Sequence, residues 1–586
     1  MKRMRNKKNL QKVFALTLAT ATTASVFGMA GCGGKKTDSD QTLEVFVWEA
    51  GYGVEWCEDL LDAFEKEAWV KEKYPNLEID FDSDGNKKTY TTKIDAGERG
   101  NTVDLFMTAS LGNYVGKDAS GYEFFADLTE NVFNQTVPGE SVTVKDKMLP
   151  TYLDSIRYYE LGQDSNSENV PFKSYVFPWA SGMDSILYNA DHLDAMNLEV
   201  PLTTKQFVET CATIKAIGNG LNDFYSTPID ENGGYAILTD GGGNYWNYLY
   251  PVWWGQYEGV EEYYNFFNGV KNDTITSEVF EQKGKLYSLT TMENILKWEN
   301  GYVYKKHTGL EYMQAQTNFL KGDAVFYSNG DWFANEMAET KQEVKEEYGI
   351  DYNIRMMRMP IVSEIIEKTP TIPNEETLRE VIRAIDAGNA TAAQANQVGQ
   401  YDLIASVSEK DYATIMEARG IVHAIGSLHQ AGVPSYAKGK EIAFDFLRYM
   451  ATDKAQEIYM KATGGASLPF NYNLKEKNPA LYNELFAGSN TLAVEQDRLS
   501  FIYDQCYTVN VLPDPGSFPL VKWGEMSDIH SLGGMSVVNY FIAKGSPADG
   551  KSVWEQDILY YCGAKNEAGI YEGGQFEQCR ELAGIN

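Results

Sequence analysis

The sequence predicts an α/β protein with more than one hydrophobic core. The chain has 586 residues, and single cores stop growing well short of that length. From Leu43 onward, apolar strand-like runs alternate with amphipathic stretches, the order that builds a parallel sheet covered by helices. The run VDLFMTA, Val103 to Ala109, is apolar at most positions, as a strand buried on both faces must be.

The elements follow in order. TLEVFVW, with its apolar run from Leu43 to Trp48, reads as the first strand, and EAGYG as the loop after it. VEWCEDLLDAFEKEAWVKEKYP reads as one amphipathic helix stopped by Pro75. LEIDFD is the second strand. DSDGNKKTYTTKIDAGERG holds a turn and a helix, and VDLFMTA is the third strand. SYVFPWASGMDSILYN predicts a strand through Pro178, a glycine turn, a strand ending at Tyr188-Asn189, and a helix beyond. TNFLKGDAVFYSNGDWFANEM predicts a helix, a strand and the loop SNGDW. YAKGKEIAFDFLRYMATDKAQEIYMKATGGASLPFN predicts two helices, a turn at Gly464-Gly465, and the pair Leu468-Pro469. The sequence contains no internal repeat.

The first residues set the compartment. Lys2, Arg3, Arg5, Lys7, Lys8 and Lys12 precede an apolar, small-residue run that ends in Met29-Ala30-Gly31-Cys32. A basic start, a short apolar middle and small residues at the cut form a secretory signal. Its end resembles a bacterial lipobox, in which the cysteine is acylated. The expectation is a signal peptide at 1–31, a lipidated Cys32, and a polar tether at 32–41. Loss of those six cations takes the formal charge from −32 to about −38. Such a balance excludes nucleic acid, which needs basic patches, and favours a monomer held apart from its neighbours by charge. Five cysteines remain after Cys32, an odd number with no C-x-x-C, so at least one is unpaired within the chain and no pairing is assignable.

Taken together, these landmarks resemble the extracellular solute-binding proteins of ABC transporters, the carbohydrate-binding family 1. The resemblance runs from Leu43 to about Phe470. It rests on the order of the lipobox, VFVWEAGYG, DLFMTA, FPWASGMDSILYN before a helix and Pro201, FLKGDAVFYSNGDWF, and GKEIAFDFLRYMATDKAQEIY with GGASLPFN. The segment at 361–420 and the portion after Phe470 are longer than the family needs. The resemblance implies two α/β lobes of the periplasmic-binding-protein type, joined by crossing strands and closing on a ligand by hinge motion. It implies 42–180 and 355–434 for the first lobe, and 181–354 with 435–586 for the second.

The candidate site follows from the chemistry of sugars. Twelve aromatic rings fall between Tyr235 and Phe267, against 13% aromatic residues overall. An aromatic face matches the C–H face of a sugar ring, and carboxylates, amides and guanidinium groups match its hydroxyls. From this stretch come Asn244, Trp253 and Trp254, although packing in a core explains any single ring as well. Ligands of open α/β sheets gather at the carboxyl ends of strands. That adds Trp48, Glu49 and Tyr52 after the first strand, and Ser110 and Asn113 after the third. Trp179, Ser181 and Asp184 fall on the crossing, and Asn329, Asp331 and Trp332 follow AVFY. In the family, the aromatic of the matching Gly-x-Trp often faces the sugar, which ranks Trp332 first. Gly464 and Gly465 offer backbone.

Several tempting motifs fail. Asp80, Asp82, Asp84 and Gly85 begin like a calcium loop, but Thr91 stands where the bidentate glutamate belongs. His423 and His429 are wrongly spaced for adjacent helical turns, and there is no H-E-x-x-H, G-x-S-x-G or P-loop. The reading is a lipid-anchored binding protein on the outer face of the cytoplasmic membrane. It captures a carbohydrate, by preference an oligosaccharide, and delivers it to an ABC permease without metal, cofactor or catalysis. The rivals are a secreted carbohydrate-active enzyme and a binding protein for a non-sugar solute.

Overall fold

The computed structural model describes residues 41–117, 121–158, 170–217, 235–242, 245–272, 274–423, 429–486, 493–512, 532 and 535–578. The leader, Cys32, most of the tether, Asn244 and Cys579 lie outside the described residues.

The first sheet is built from β1 (Thr42–Trp48), β2 (Glu78–Asp84), β3 (Leu105–Thr108) and β4 (Phe177–Pro178), together with a late strand, Gln430–Gly432. β1 is central to a parallel trio with β2 and β3, as the strand–helix alternation predicts. The late strand runs antiparallel between β3 and β4. The helix expected from Val54 to Tyr74 is two helices, Glu55–Lys66 and Ala68–Lys73. Glu67 between them is extended, with φ −60° and ψ 137°. Trp56, Leu60, Leu61 and Phe64 bury one face of the first helix against the sheet. Full burial of one such apolar side chain contributes about 1.5–3 kcal/mol.

The second sheet holds β5 (Asp184–Asn189), β6 (Ile237–Leu238), β7 (Phe326–Gly330) and β8 (Ile354–Met357), in the order β8-β5-β7-β6. β5 is antiparallel to both of its neighbours, and only β6 and β7 run parallel. Its core takes in Phe207, Trp246, Trp253, Trp254, Phe266, Phe280 and Phe326. The C-terminal helices Val537–Lys544 and Val553–Tyr561 close over the same core. Lys285 and Asp557, both buried, form an ion pair at 3.2 Å across that join.

The sheets correct two expected boundaries. The return to the first lobe was expected at Arg355, but β8 pairs with β5 in the second sheet. The helices Glu375–Asp386, Ala392–Val398 and Glu409–Gly420 of the long segment bury Leu378, Val381, Ile382, Ala395 and Ile415 in the second core. The chain therefore returns between Val422 and Gln430. The helices Lys440–Met450 and Asp453–Ala462, expected on the second lobe, bury Ala443, Phe446, Leu447 and Tyr459 in the first core. Both cores accept an apolar helical stripe, and the stripe carries no label for its partner.

Gln41–Asn586 form one compact unit. Among the described residues no helix is long and apolar enough to cross a membrane. Cys57, Cys211, Cys506 and Cys562 are free thiols.

Candidate functional site

One end of each sheet meets the other. β1 ends at Trp48 beside Asp84, the last residue of β2. Gln430, at the start of the late strand, pairs with Thr108 at the end of β3 and with Pro178 at the end of β4. Glu49, Ser110, Trp179 and His429 therefore share this end. In the second sheet, Asp184 at the start of β5 pairs with Gly330 at the end of β7, so Asp331 and Trp332 follow at the same end. Only residues 179–183 separate β4 from β5. The two ends face a common cleft, where the ligands of open α/β sheets gather.

One flank of this cleft is sealed by contacts between the lobes. Tyr52 from the first lobe donates to the Asp331 carboxylate of the second at 3.2 Å. Asn335 donates to the Gly51 carbonyl at 2.9 Å. Trp332 packs on Gly51 and on Gly330. A Cβ at Gly51 would sit 2.7 Å from the indole, and one at Gly330 would sit 1.7 Å from it. A Cβ at Gly182, on the crossing, would sit 2.2 Å from the Tyr52 hydroxyl. Trp332 is only 5% exposed.

Behind this flank lies a buried charge cluster. Arg498, on the helix Ala493–Tyr503, reaches Glu495 at 2.7 Å and Asp331 at 3.2 Å. It also donates to the Gly465 carbonyl and to the Ser467 hydroxyl, both at 3.1 Å. Ser181 on the crossing bonds the Ser467 hydroxyl at 2.6 Å. Burial opposes the Arg498 cation, but Glu495 and Asp331 hold it charged. Burial raises the Glu495 carboxyl well above its usual range against the pull of Arg498, and Asp331 pushes the same way. Tyr52 is likewise raised, first by burial and then by Asp331.

The other flank keeps polar and aromatic groups within reach of solvent. Trp48 is half-buried, stacks on His429 with centroids 5.9 Å apart, and carries Lys87 over its ring at 4.9 Å. Glu49 is exposed and Ser110 half-buried. From the end of the second sheet come the half-buried Tyr248 and Tyr245, the latter packed on Trp332 at 5.9 Å. His423 stacks on Tyr248 at 4.9 Å and 15°, and its Nδ1 lies 2.5 Å from the Asp184 carboxylate. Burial raises the Asp184 carboxyl, and His423 draws it back.

A family model described as bacterial extracellular solute-binding protein matches residues 58–457. The chain belongs to that family. The fold of this solute-binding protein recurs in solved structures. An ABC substrate-binding protein from Listeria monocytogenes, in complex with cycloalternan, is similar over 93% of this chain and all of its own, at 12% identity and a TM-score of 0.51. A chitin oligosaccharide binding protein is similar over 89% of this chain and 97% of its own, at 14% identity and a TM-score of 0.50. No curated protein matches by sequence. The family consists of binding proteins, which fits the opposed sheet ends found here.

Other expected site residues of the solute-binding protein fall in several places. Trp253 and Trp254 are core residues, not cleft residues. Their indoles donate to the Pro360 carbonyl at 3.0 Å and to Gln282 at 2.7 Å. The helix Tyr250–Glu258 that carries them is buried on nearly every side. Trp179 is fully buried, stacked on Trp56 at 4.9 Å with its indole donating to Thr108. Asn329 is buried within β7 and caps the Gly330 N–H. Gly464 and Gly465 both take positive φ, 68° and 118°, a turn that a side chain would strain. Asn113 lies in the short turn Gly112–Tyr114. Sequence reasoning missed Arg498, Glu495 and Ser467: Glu495 and Arg498 share one helix, but the Asp331, Gly465 and Ser467 that Arg498 touches lie in distant segments. It also set His423 and His429 aside after testing them only as metal ligands.

Proposed function

We propose that this protein is a lipid-anchored receptor that captures a carbohydrate, an oligosaccharide by preference, and hands it intact to an ABC permease. The observation that carries the reading is the unsealed flank of the cleft. There Trp48 and Tyr248, one from each sheet, stay partly exposed, with Glu49, Ser110 and His423 at the same sheet ends. Stacking surfaces with short polar neighbours suit a ligand that has an apolar face and a hydroxylated rim. The solute-binding family and structural neighbours in complex with cycloalternan or named for chitin oligosaccharides support the same class.

Capture is closure of the two lobes, and the permease reads the closed form because the ligand binds it better than the open form. Specificity comes from hydrogen bonds that the wrong sugar would leave unpaired. The leader's lipobox supports an anchor at Cys32 and a place on the outer face of the membrane.

Isothermal titration of the unit Gln41–Asn586 against raffinose, chitotriose, maltotriose and their monomers tests the reading, with each bound sugar recovered afterwards. Saturable binding with intact sugar is expected. Cleaved product would replace the transport reading with an enzyme, and a folded protein that binds none of them would redirect it to a non-sugar solute. Incorporation of a clickable fatty acid that is lost in Cys32→Ser tests the anchor.

A further inference from the structure

We propose that His423 is a specificity-determining residue of the cleft: Asp184 holds its Nδ1, and its Nε2 is presented to the ligand as a hydrogen-bond acceptor beside the Tyr248 ring. The proposal rests on the carbohydrate reading above and names the group that selects a hydroxyl on the ligand.

Four constraints fix this imidazole. The Asp184 N–H donates to the His423 carbonyl at 3.0 Å, which ties the two crossing segments through their backbones. The Asp184 carboxylate lies 2.5 Å from Nδ1. Tyr248 covers one ring face, nearly parallel at 15°. His423 follows directly on Val422, whose carbonyl accepts from Leu512 at 2.9 Å. With a carboxylate on Nδ1, the neutral ring carries its proton there, and Nε2 keeps a lone pair.

What remains of the ring is its Nε2 edge and one face. Among the described residues Nε2 has no hydrogen-bond partner, and the side chain keeps 14% of its surface open while Asp184 keeps 1%. A histidine serving only to neutralise a buried carboxylate could be buried outright, and this side chain is not. This one lies on the crossing, at the sheet end that carries Asp331 and the Tyr245–Tyr248 turn. A hydroxyl donating to Nε2 would belong to a ring resting near the Tyr248 edge. Such an acceptor rejects an analogue that lacks the hydroxyl, since Nε2 would then lose its water with no replacement.

Three readouts on the unit Gln41–Asn586 test this. Nitrogen NMR of ¹⁵N-histidine protein near neutral pH is expected to show His423 as the Nδ1–H tautomer. Diethyl pyrocarbonate is expected to modify His423 at Nε2, and saturating raffinose, chitotriose or maltotriose, whichever binds, to slow this at least fivefold. His423→Phe also strands the buried Asp184 and is expected to lower the melting temperature; at a temperature where it is fully folded it is expected to weaken that sugar tenfold or more, while His423→Gln retains most of the affinity. An Nε2–H tautomer, or wild-type affinity in His423→Phe, overturns the proposal. If His423→Phe does not fold, protection of the wild type decides: a bound sugar that leaves the modification rate unchanged overturns it. If none of the sugars binds, the carbohydrate reading has failed separately. The tautomer and the modification rate still decide for His423: an Nδ1–H ring that reacts supports the proposal, and an unreactive one overturns it.

Discussion

The two flanks of the cleft use the same kinds of residue to opposite ends. On the sealed flank, Trp332 and Tyr52 are buried, their neighbours are glycines, and the polar atoms they touch come from the protein itself. On the other flank, Trp48 and Tyr248 keep open surface, and Glu49 is exposed. An aromatic at a strand end is therefore not a ligand contact by type. What decides is whether the protein already supplies its partners.

The largest effect expected from this contrast is on stability at the sealed flank. Arg498→Leu should cost about 3–5 kcal/mol, because it strands the buried Asp331 and Glu495 carboxyls without their cation. Trp332→Ala should cost about 3–5 kcal/mol through the cavity it leaves. Urea unfolding near neutral pH measures both, and a loss under about 1 kcal/mol for either would mean that this flank is not sealed in solution.

Trp48→Ala should act the other way round. Sugar affinity should fall tenfold or more, roughly 1.4 kcal/mol, while unfolding shifts by less than about 1 kcal/mol. Titration and unfolding on one preparation separate the two. Equal affinity in Trp48→Ala and wild type would remove the ring from the site.

A smaller effect sharpens the electrostatic side. Burial holds the folded Glu495 carboxyl above its unfolded range, so the folded state binds that proton more tightly. The stability this contributes is fully present below the unfolded value, about 4.3, and is lost as pH rises toward the folded value. Glu495→Gln keeps the shape and has no proton to lose. Its stability relative to wild type should therefore rise as pH is raised from about 4.3. A constant difference across urea curves from acid to neutral pH would place the proton elsewhere in the cluster. Smallest of all, Ser110→Ala should change unfolding by no more than about 0.5 kcal/mol, leaving any change in titration to the ligand.

The first parallel trio was legible because each strand is a short apolar run closed by a turn, and Trp48 was legible because it ends one. The rings of Trp253 and Trp254 were not separable from those of Tyr245 and Tyr248. All lie in one aromatic stretch, and only the fold turns some toward Pro360 and Gln282 and leaves others at the cleft. The helices at 440–462 were visible as helices, but their lobe was not, since two apolar cores stood ready to receive them. Arg498 was invisible as a site residue, because its partners Asp331, Ser181 and Gly465 come from three distant segments.

Gly51, Gly182 and Gly330 carry a consequence for how such a receptor changes over generations. Each would drive an added Cβ to within 3 Å of Trp332 or Tyr52. The obstacle at all three is space, since none has a positive φ. Nearly every missense change at these codons would push Trp332 or Tyr52 from its place in the seal, so selection should hold them fixed. Glu49 and Ser110, exposed and half-buried, bear no such restraint. A lineage can then exchange one cargo for another on one flank while the other keeps the lobes in register.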